Sequence, residues 1–433
     1  FRRVLFRSLA KTMPLHDRAS GDYRLSRILE ILAREFEIDF LSTTHVGRHK
    51  ESGKLEYISR DSVFRHDSYE ILDSRYIEDL AKIGVRTLNQ GEPVPFTIRS
   101  GARFDIRPYL RGRTYDLVWV EFFYLLDEYI EDLRRFQPGA KVLCDSVDLH
   151  FRRLARQCNY FESQVRYVVN SRHERRKAGA AFRARLAEQR RHADQVRDRE
   201  IAAYQKCDAV VMVSEDDRDE LRRHCPKLPL LLVPNIHKRP ALKGGATPFT
   251  QRSGCVFVGN FDHDPNVSSC IFLKHEVAPL LEKNRIRFRL VGSNPPKVVR
   301  TMPELGPAAE LFEVTGHVPE TLPYLDGARV SVAPILYGAG MNGKIGEAMC
   351  AGLPVVTTSL GALGMGLRHE ESCLVADSAE AFAREILRLH EDERLWEKLR
   401  SNALAHVDGL YSEQGVEKAL LSAVRSLLPQ KRA

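Results

Sequence analysis

Short apolar runs alternate along the chain with longer stretches whose apolar positions recur every three or four residues. In the first half the runs Ile38–Thr43, Asp116–Glu121, Lys141–Asp145, Asp208–Ser214 and Leu230–Val233 read as strands. In the second half Cys255–Gly259, Arg287–Val291, Leu311–Thr315, Val330–Ala333 and Leu353–Thr358 do the same. Before the first run, Leu25, Ile28, Leu29, Leu32 and Phe36 mark one face of a helix. Such alternation predicts an α/β fold with parallel sheets covered on both faces. Residues 46–110 show no period and are expected to be irregular. The opening "FRRVLFRSL" puts arginines where a buried strand wants apolar side chains, so its first eight or so residues are expected to be an edge foreign to the fold.

The 433 residues exceed what one ordinary core accommodates and predict two domains. "HKRPALKGGATPFTQRSG", rich in Gly, Pro and Lys, separates them. The division expected is an N-terminal domain over 1–236, a linker over 237–254, a C-terminal domain over 255–410, and a last helix over 411–433 that packs back towards the first domain. Two such domains leave a cleft between their strand ends, where ligands bind in folds of this kind.

Composition narrows the reading. Apolar content of 43% with 29% charged residues belongs to a globular chain, and no stretch reaches the roughly 20 apolar residues of a membrane span. The start shows no secretory h-region. Eight scattered cysteines form neither a C-x-x-C pair nor a metal-ligand spacing, which points to a reducing cytoplasm. The net charge of +8 is matched by residues 151–200 alone, with 14 Lys+Arg against 6 Asp+Glu. That segment predicts one or two long exposed helices, either simply solvated or meeting an anionic acceptor or an anionic membrane face from the cytoplasmic side. Nucleic acid is not expected, because aromatic residues are not interleaved with the charges.

"YGAGMNGKIGEAM" carries the strongest chemistry. Gly338, Gly340 and Gly343 spell G-x-G-x-x-G after an apolar run, as in dinucleotide-binding proteins. Those proteins need an acidic residue about 20 positions on, yet the next strand ends in Thr357-Thr358-Ser359. The turn also falls about 80 residues into its domain instead of at the first strand. An NAD site is therefore set aside. The physics of the turn survives: backbone amides and the positive end of a helix make an anion site, with Lys344 beside it and Glu347 one turn in. Phosphate on the amides and sugar hydroxyls on the carboxylate describe a nucleotide-sugar pocket.

"GKIGEAMCAGLPVVTTSLGALGM" resembles the donor-site signature of family 4 glycosyltransferases, retaining enzymes of the GT-B architecture with two Rossmann-like domains facing a cleft. The likeness extends through "HDRASGDYRLSRILEIL", "YDLVWVE", "CDAVVMVSEDDRDEL", "LLVPN", "CVFVGNFDHDPNV", "TGHVPETLPYL" and "EESCLVADSAEAFAREILRL". It implies a hexosyltransferase-like activity, in cell-surface polysaccharide or glycoconjugate synthesis, that moves a sugar from a nucleotide-sugar donor to a hydroxyl of a glycan or lipid-linked acceptor. Configuration would be retained and no metal or other cofactor required. The donor residues it implies are Gly21, Gly259, Asn260, Gly292, Val318, Gly340, Met341, Asn342, Gly343, Lys344, Ile345 and Glu347. Lys344 and His150 are the residues implied at the reacting centre. Two departures stand out. Eight positions before Glu347, where many relatives carry a second glutamate, this chain has Ala339, and backbone amides would take its place. The usual Arg and Lys are missing from "GNFDHDPNV", which shifts phosphate neutralisation onto Lys344 and the helix.

Asp262-His263-Asp264 spells the metal-binding D-x-D of another glycosyltransferase architecture. Here it precedes Pro265, and its aspartates are expected to cap the next helix. Asp145, Asp148 and His150 come at a strand end that faces the cleft, and one of them is expected to meet the acceptor or the donor phosphate. No nucleophile elbow or carboxylate pair points to hydrolysis. A catalytically silent GT-B module and a GT-B sugar-nucleotide epimerase stay open as alternatives.

Overall fold

The computed structural model describes residues 5–11, 13–14, 20–49, 55–59, 69–71, 73–88, 104–164, 172–240, 245–306 and 308–428. Sixteen strands are described. They are β1 (Leu5–Ala10), β2 (Glu37–Ser42), β3 (Thr44–His49), β4 (Leu55–Ser59), β5 (Tyr69–Ile71), β6 (Val85–Thr87), β7 (Leu117–Glu121), β8 (Lys141–Asp145), β9 (Ala209–Met212), β10 (Leu230–Leu232), β11 (Cys255–Val258), β12 (Phe288–Val291), β13 (Phe312–Gly316), β14 (Val330–Ala333), β15 (Val355–Thr357) and β16 (Leu374–Val375). The first large sheet runs β10-β9-β8-β7-β1-β2-β6 and the second β13-β12-β11-β14-β15-β16. Every pairing in both is parallel. Each order reverses beside its first strand, β1 against β7 and β11 against β14, the doubly wound pattern in which ligands sit at the reversal.

Burial on both faces explains the continuous apolar runs. Along β7, Leu117 and Trp119 join one apolar cluster with helix Ser20–Ala33, while Val118 and Val120 join another with helix Phe123–Phe136. In the second sheet Phe257 and Leu290 face one layer, Val256 and Val291 the other. Helix Glu413–Leu427 buries Val416, Leu420 and Val424 in the same cluster as Leu25 and Ile28 of the first domain. Arg34–Glu417 at 3.0 Å and Arg425–Glu35 at 2.6 Å line that contact. Beside the second sheet, Phe249 meets Trp396 edge to face, and Arg252 bonds to the carbonyls of Thr247, Leu325 and Ala328.

Two expectations are corrected. Leu5–Ala10, expected to be foreign, is an inner strand paired with both β2 and β7. Arg7 is tolerated there because its guanidinium lies over the Tyr115 ring and bonds to its hydroxyl. Tyr115 in turn donates to Asp39 at 2.6 Å, and Arg86 closes on the same carboxylate with two bonds of 2.7 Å. The segment 46–110, expected to be irregular, contributes an antiparallel sheet in the order β4-β3-β5, helix Asp73–Lys82 and β6. Arg, His and Glu between its short apolar groups hide the strand period, so pairing rather than pattern defines these strands. Residues 89–103 lie outside the described set. The basic segment forms helices His150–Gln164 and Arg172–Tyr204, on which Arg183, Arg185, Arg190, Arg191 and Arg199 are exposed.

Candidate functional site

The glycine turn leaves the end of β14 and runs into helix Gly343–Cys350. Gly340 has φ of +71°, and a β-carbon on it would stand 3.0 Å from the Val147 carbonyl oxygen and 3.1 Å from Asp148 Cβ. Only glycine lets this turn lie so close to the opposite domain. On its other side the Gly340 carbonyl leaves no space for a β-carbon at Gly364. Asn342 begins the helix without a side-chain cap, and its carbonyl accepts the Ile345 amide at 3.0 Å. The positive end of the helix therefore opens on the cleft uncapped by a side chain.

Three loops complete this wall. A β-carbon on Gly292 would fall 1.7 Å from the Gly259 carbonyl oxygen, so the turns after β11 and β12 meet backbone to backbone. Asn260 accepts from Asn266 Nδ2 at 2.6 Å, and Asn266 Oδ1 accepts from Lys344 Nζ at 2.6 Å. Lys344 also sits 5.1 Å above the Phe257 ring. Lost hydration lowers its ammonium pKa to about 8. One turn on, Glu347 accepts from the Thr321 hydroxyl, and burial raises its carboxyl pKa. Val318, at the turn after β13, packs on the apolar layer beneath the helix. Ile345 is fully buried, so only its backbone faces the turn.

The capping expected of Asp262 and Asp264 does not occur. His263 occupies the cap position of helix Asp264–Phe272 without a side-chain bond. Asp262 accepts from Asn294 instead, at 2.7 Å, and Asp264 lies inside the first turn. Pro265 explains the change, since it needs no amide partner there. Among the described residues no group of three or more His, Cys, Asp or Glu is placed to hold a metal ion.

The facing wall is made of side chains. Phe122 and Val147, at the ends of β7 and β8, hold left-handed φ of +64° and +57°, an uncommon and costly conformation for such residues. Beyond them His150 sits among the rings of Phe122, Phe123 and Tyr124, with Nδ1 3.2 Å from Asp148 Oδ1. Burial lowers its pKa, which keeps the imidazole neutral near pH 7. Its backbone amide and that of Phe151 donate to the buried Glu200 carboxylate, which burial raises to about 7. Asp145 pairs with Arg24 at 2.5 Å, both buried, and Arg24 also bonds to the Val233 carbonyl. Burial, with Asp22 and Asp145 nearby, lifts Glu121 to about 8. Gly21 lies in the first turn of helix Ser20–Ala33.

The two walls touch. Asp217, 1% exposed, accepts the Gly340 amide at 2.6 Å and an Arg152 bond at 2.7 Å. Arg156 donates to the Gly338 carbonyl at 2.9 Å and to Asp216 at 3.0 Å. The Asn235 amide donates to the Met341 sulfur at 3.3 Å, and Tyr160 packs on Tyr337. The motif residues Gly259, Asn260, Gly292 and Gly340–Lys344 thus share one wall, with Glu347 behind the turn. His150 lies beyond Val147 and Asp148, which press on Gly340 from the other side. Asn266, Thr321, Arg152, Arg156 and Asp217 were not legible as site residues. Apart from Asn260, which Asn266 also bonds, the partners of these side chains lie 26 to 182 positions away, and no local spacing marks such pairs. A cavity of about 550 Å³ lined by Arg368, Asn402 and His406 contains none of these residues.

Known proteins add two findings. Residues 252–392 match the family described as Glycosyl transferases group 1. YtcC of Bacillus subtilis (strain 168) is 38% identical over 88 residues, 20% of this chain and 22% of that protein. The "Uncharacterized 44.6 kDa protein in cps region" of Klebsiella pneumoniae is 26% identical over 169 residues, 37% of this chain and 43% of its own. The matches thus span less than half the length of these relatives. The whole fold is similar to sucrose-phosphate synthase from Thermosynechococcus elongatus, with TM-score 0.60, 17% identity and coverage of 98% and 99% of the two chains. It is likewise similar to Anabaena HepE in complex with UDP-glucose, with TM-score 0.61, 10% identity and coverage of 98% and 99%. Residues 252–392 are therefore similar to group 1 glycosyl transferases, within a chain whose two Rossmann-like domains adopt the GT-B architecture along nearly all its length.

Proposed function

We propose that the chain transfers a hexosyl unit from a nucleotide-sugar donor to a hydroxyl of a glycan or lipid-linked acceptor, with retention of configuration. The observation that carries this is the uncapped start of helix Gly343–Cys350 with Lys344 held beside it by Asn266. A diphosphate there meets backbone N–H groups, the helix dipole and an ammonium group, and needs no metal to balance its charge. The sugar–phosphate bond breaks as the acceptor oxygen bonds to the same face of the anomeric carbon. The acceptor proton passes to the departing phosphate oxygen. His150, neutral in its aromatic surround, lines the acceptor side, and Glu347 takes the ribose hydroxyls. The group 1 match over 252–392 and the UDP-glucose complex of HepE support this reading. The name of the Klebsiella relative, a protein in the cps region, supports a place in cell-surface polysaccharide or glycoconjugate assembly.

The test is release of nucleoside diphosphate from a panel of nucleotide sugars, with and without oligosaccharide or lipid-linked acceptors. Acceptor-dependent release of one donor's nucleotide supports the reading. Epimerised donor without transfer, or no turnover of any donor, overturns it.

The exposed arginines of helix Arg172–Tyr204 support peripheral attachment to the anionic inner face of a membrane. No helix among the described residues is long and apolar enough to cross one. The protein should sediment with anionic vesicles at low salt and release as ionic strength rises. Equal binding to neutral vesicles, or none to either, leaves a solvated helical face.

A further inference from the structure

We propose that Asp217 is a positioning residue for the donor turn. Its carboxylate is supplied by the facing domain to organise a loop that lacks one of its own. The proposal rests on the transfer reading above, but its central measurement does not. The turn from Tyr337 to Lys344 contains no Asp or Glu, and its Gly340 amide is bonded to Asp217 Oδ2 at 2.6 Å. Both carboxylate oxygens are engaged, because Oδ1 accepts from Arg152 at 2.7 Å. Asp217 is buried to 1% exposure, so it acts on the turn and not on a sugar. Arg152 is fixed by two bonds to Asp216, and Arg156 links Asp216 to the Gly338 carbonyl. One cluster therefore holds a donor group and an acceptor group of the same turn.

Contact of Val147 and Asp148 with Gly340 sets the register, since a β-carbon there would stand 3.0 Å from the Val147 oxygen. With the turn so held, the amides at the start of helix Gly343–Cys350 point at one place instead of several. Domain separation breaks the Asp217 and Arg156 bonds together. The fully ordered donor turn thus belongs to the closed cleft, where transfer occurs, and the donor first meets a looser turn.

The test uses the full-length chain. Hydrogen–deuterium exchange should show the Gly338–Lys344 peptide exchanging about ten- to a hundredfold faster in Asp217→Ala, as loss of a charge-assisted bond predicts. Transfer should lose turnover more than donor affinity. Helix Glu215–His224 supplies the control, because Asp217 also donates its backbone amide to Ser214 Oγ. Faster exchange confined to that helix, with the turn unchanged, overturns the proposal. If Asp217→Ala does not fold, Arg156→Met removes the Gly338 bond and leaves that cap intact. Unchanged exchange of the turn in that variant is equally decisive against the proposal. If the native protein transfers no sugar, the transfer reading fails while the exchange result still decides the role of Asp217.

Discussion

The two walls of the cleft stand on sheets of the same winding, yet they are made of different material. The second domain presents backbone: Gly259 against Gly292, the turn at Gly340, and the uncapped start of helix Gly343–Cys350. The first domain builds its wall on paired side chains, with Arg24–Asp145 and Asp217 buried behind it: Arg24 with Asp145, Arg152 with Asp216 and Asp217, Asp148 with His150 and Arg153. A wall of backbone suits an anion bound in one way, because amides cannot change identity. A wall of side chains can be altered residue by residue while the strands stay fixed. This division fits a constant nucleotide diphosphate on one side and a chain-specific acceptor on the other.

The largest effect should come from the first wall. Arg24→Leu leaves the Asp145 carboxylate buried without its cation, a loss of about 3–5 kcal/mol. Urea unfolding measures it. Pairing Arg24→Leu with Asp145→Leu should recover much of the loss, because no charge is then buried alone. A double variant no better than the single one would mean that packing, not charge, dominates there.

Next comes Lys344, the cation beside the second wall's helix start. Lys344→Ala should lower turnover about a hundred- to a thousandfold, roughly 3–4 kcal/mol, since its charge opposes the charge that grows on the leaving diphosphate. Donor affinity should change less. Its lowered pKa sets a further expectation. The ammonium is charged below about 8 and neutral above it, so kcat/KM for the donor should fall as pH rises through that value. A residual activity in Lys344→Met that keeps the same alkaline limb would assign the limb to another group.

The contrast also explains what the sequence conveyed. All ten expected strands formed within two residues at each end, most of them because burial on both faces writes itself as a nearly unbroken apolar run. The glycine turn was legible for a related reason: close backbone approach excludes every side chain, and G-x-G-x-x-G is local. Arg7 misled, because a buried arginine reads as a surface residue until Tyr115 and Asp39 are placed beside it. Asp217 was hidden likewise. In "SEDDRDEL" it looks like a helix-start acid, which it is, while its partner at Gly340 lies 123 residues on.

A smaller effect separates backbone contact from ordinary space on the second wall. Gly292→Ala forces a methyl into the Gly259 carbonyl, and the turns must part at a cost of about 1–3 kcal/mol. Gly327→Ala, with nothing within 4 Å of the added carbon, serves as the neutral control. Thermal unfolding should show the first lowered and the second near native. Equal melting temperatures would mean that the two loops are not held together.

The smallest expected effect tests whether the second wall reads the donor with any side chain besides Lys344. Glu347 already accepts from Thr321, and its carboxyl is raised by burial, so part of its hydrogen-bonding capacity serves the fold. Glu347→Gln keeps an acceptor for Thr321 and the shape of the side chain, but replaces a charge-assisted bond to the ribose with a neutral one. That contact exists equally in bound donor and transition state. The donor KM should therefore rise about tenfold with turnover little changed. Thr321→Val separates the two duties of Glu347. It removes the protein partner and leaves the carboxylate for the donor, so it should lower stability without raising KM. If Glu347→Gln alters stability alone and KM stays native, Glu347 belongs to the helix, and the second wall holds its donor with backbone and Lys344 only.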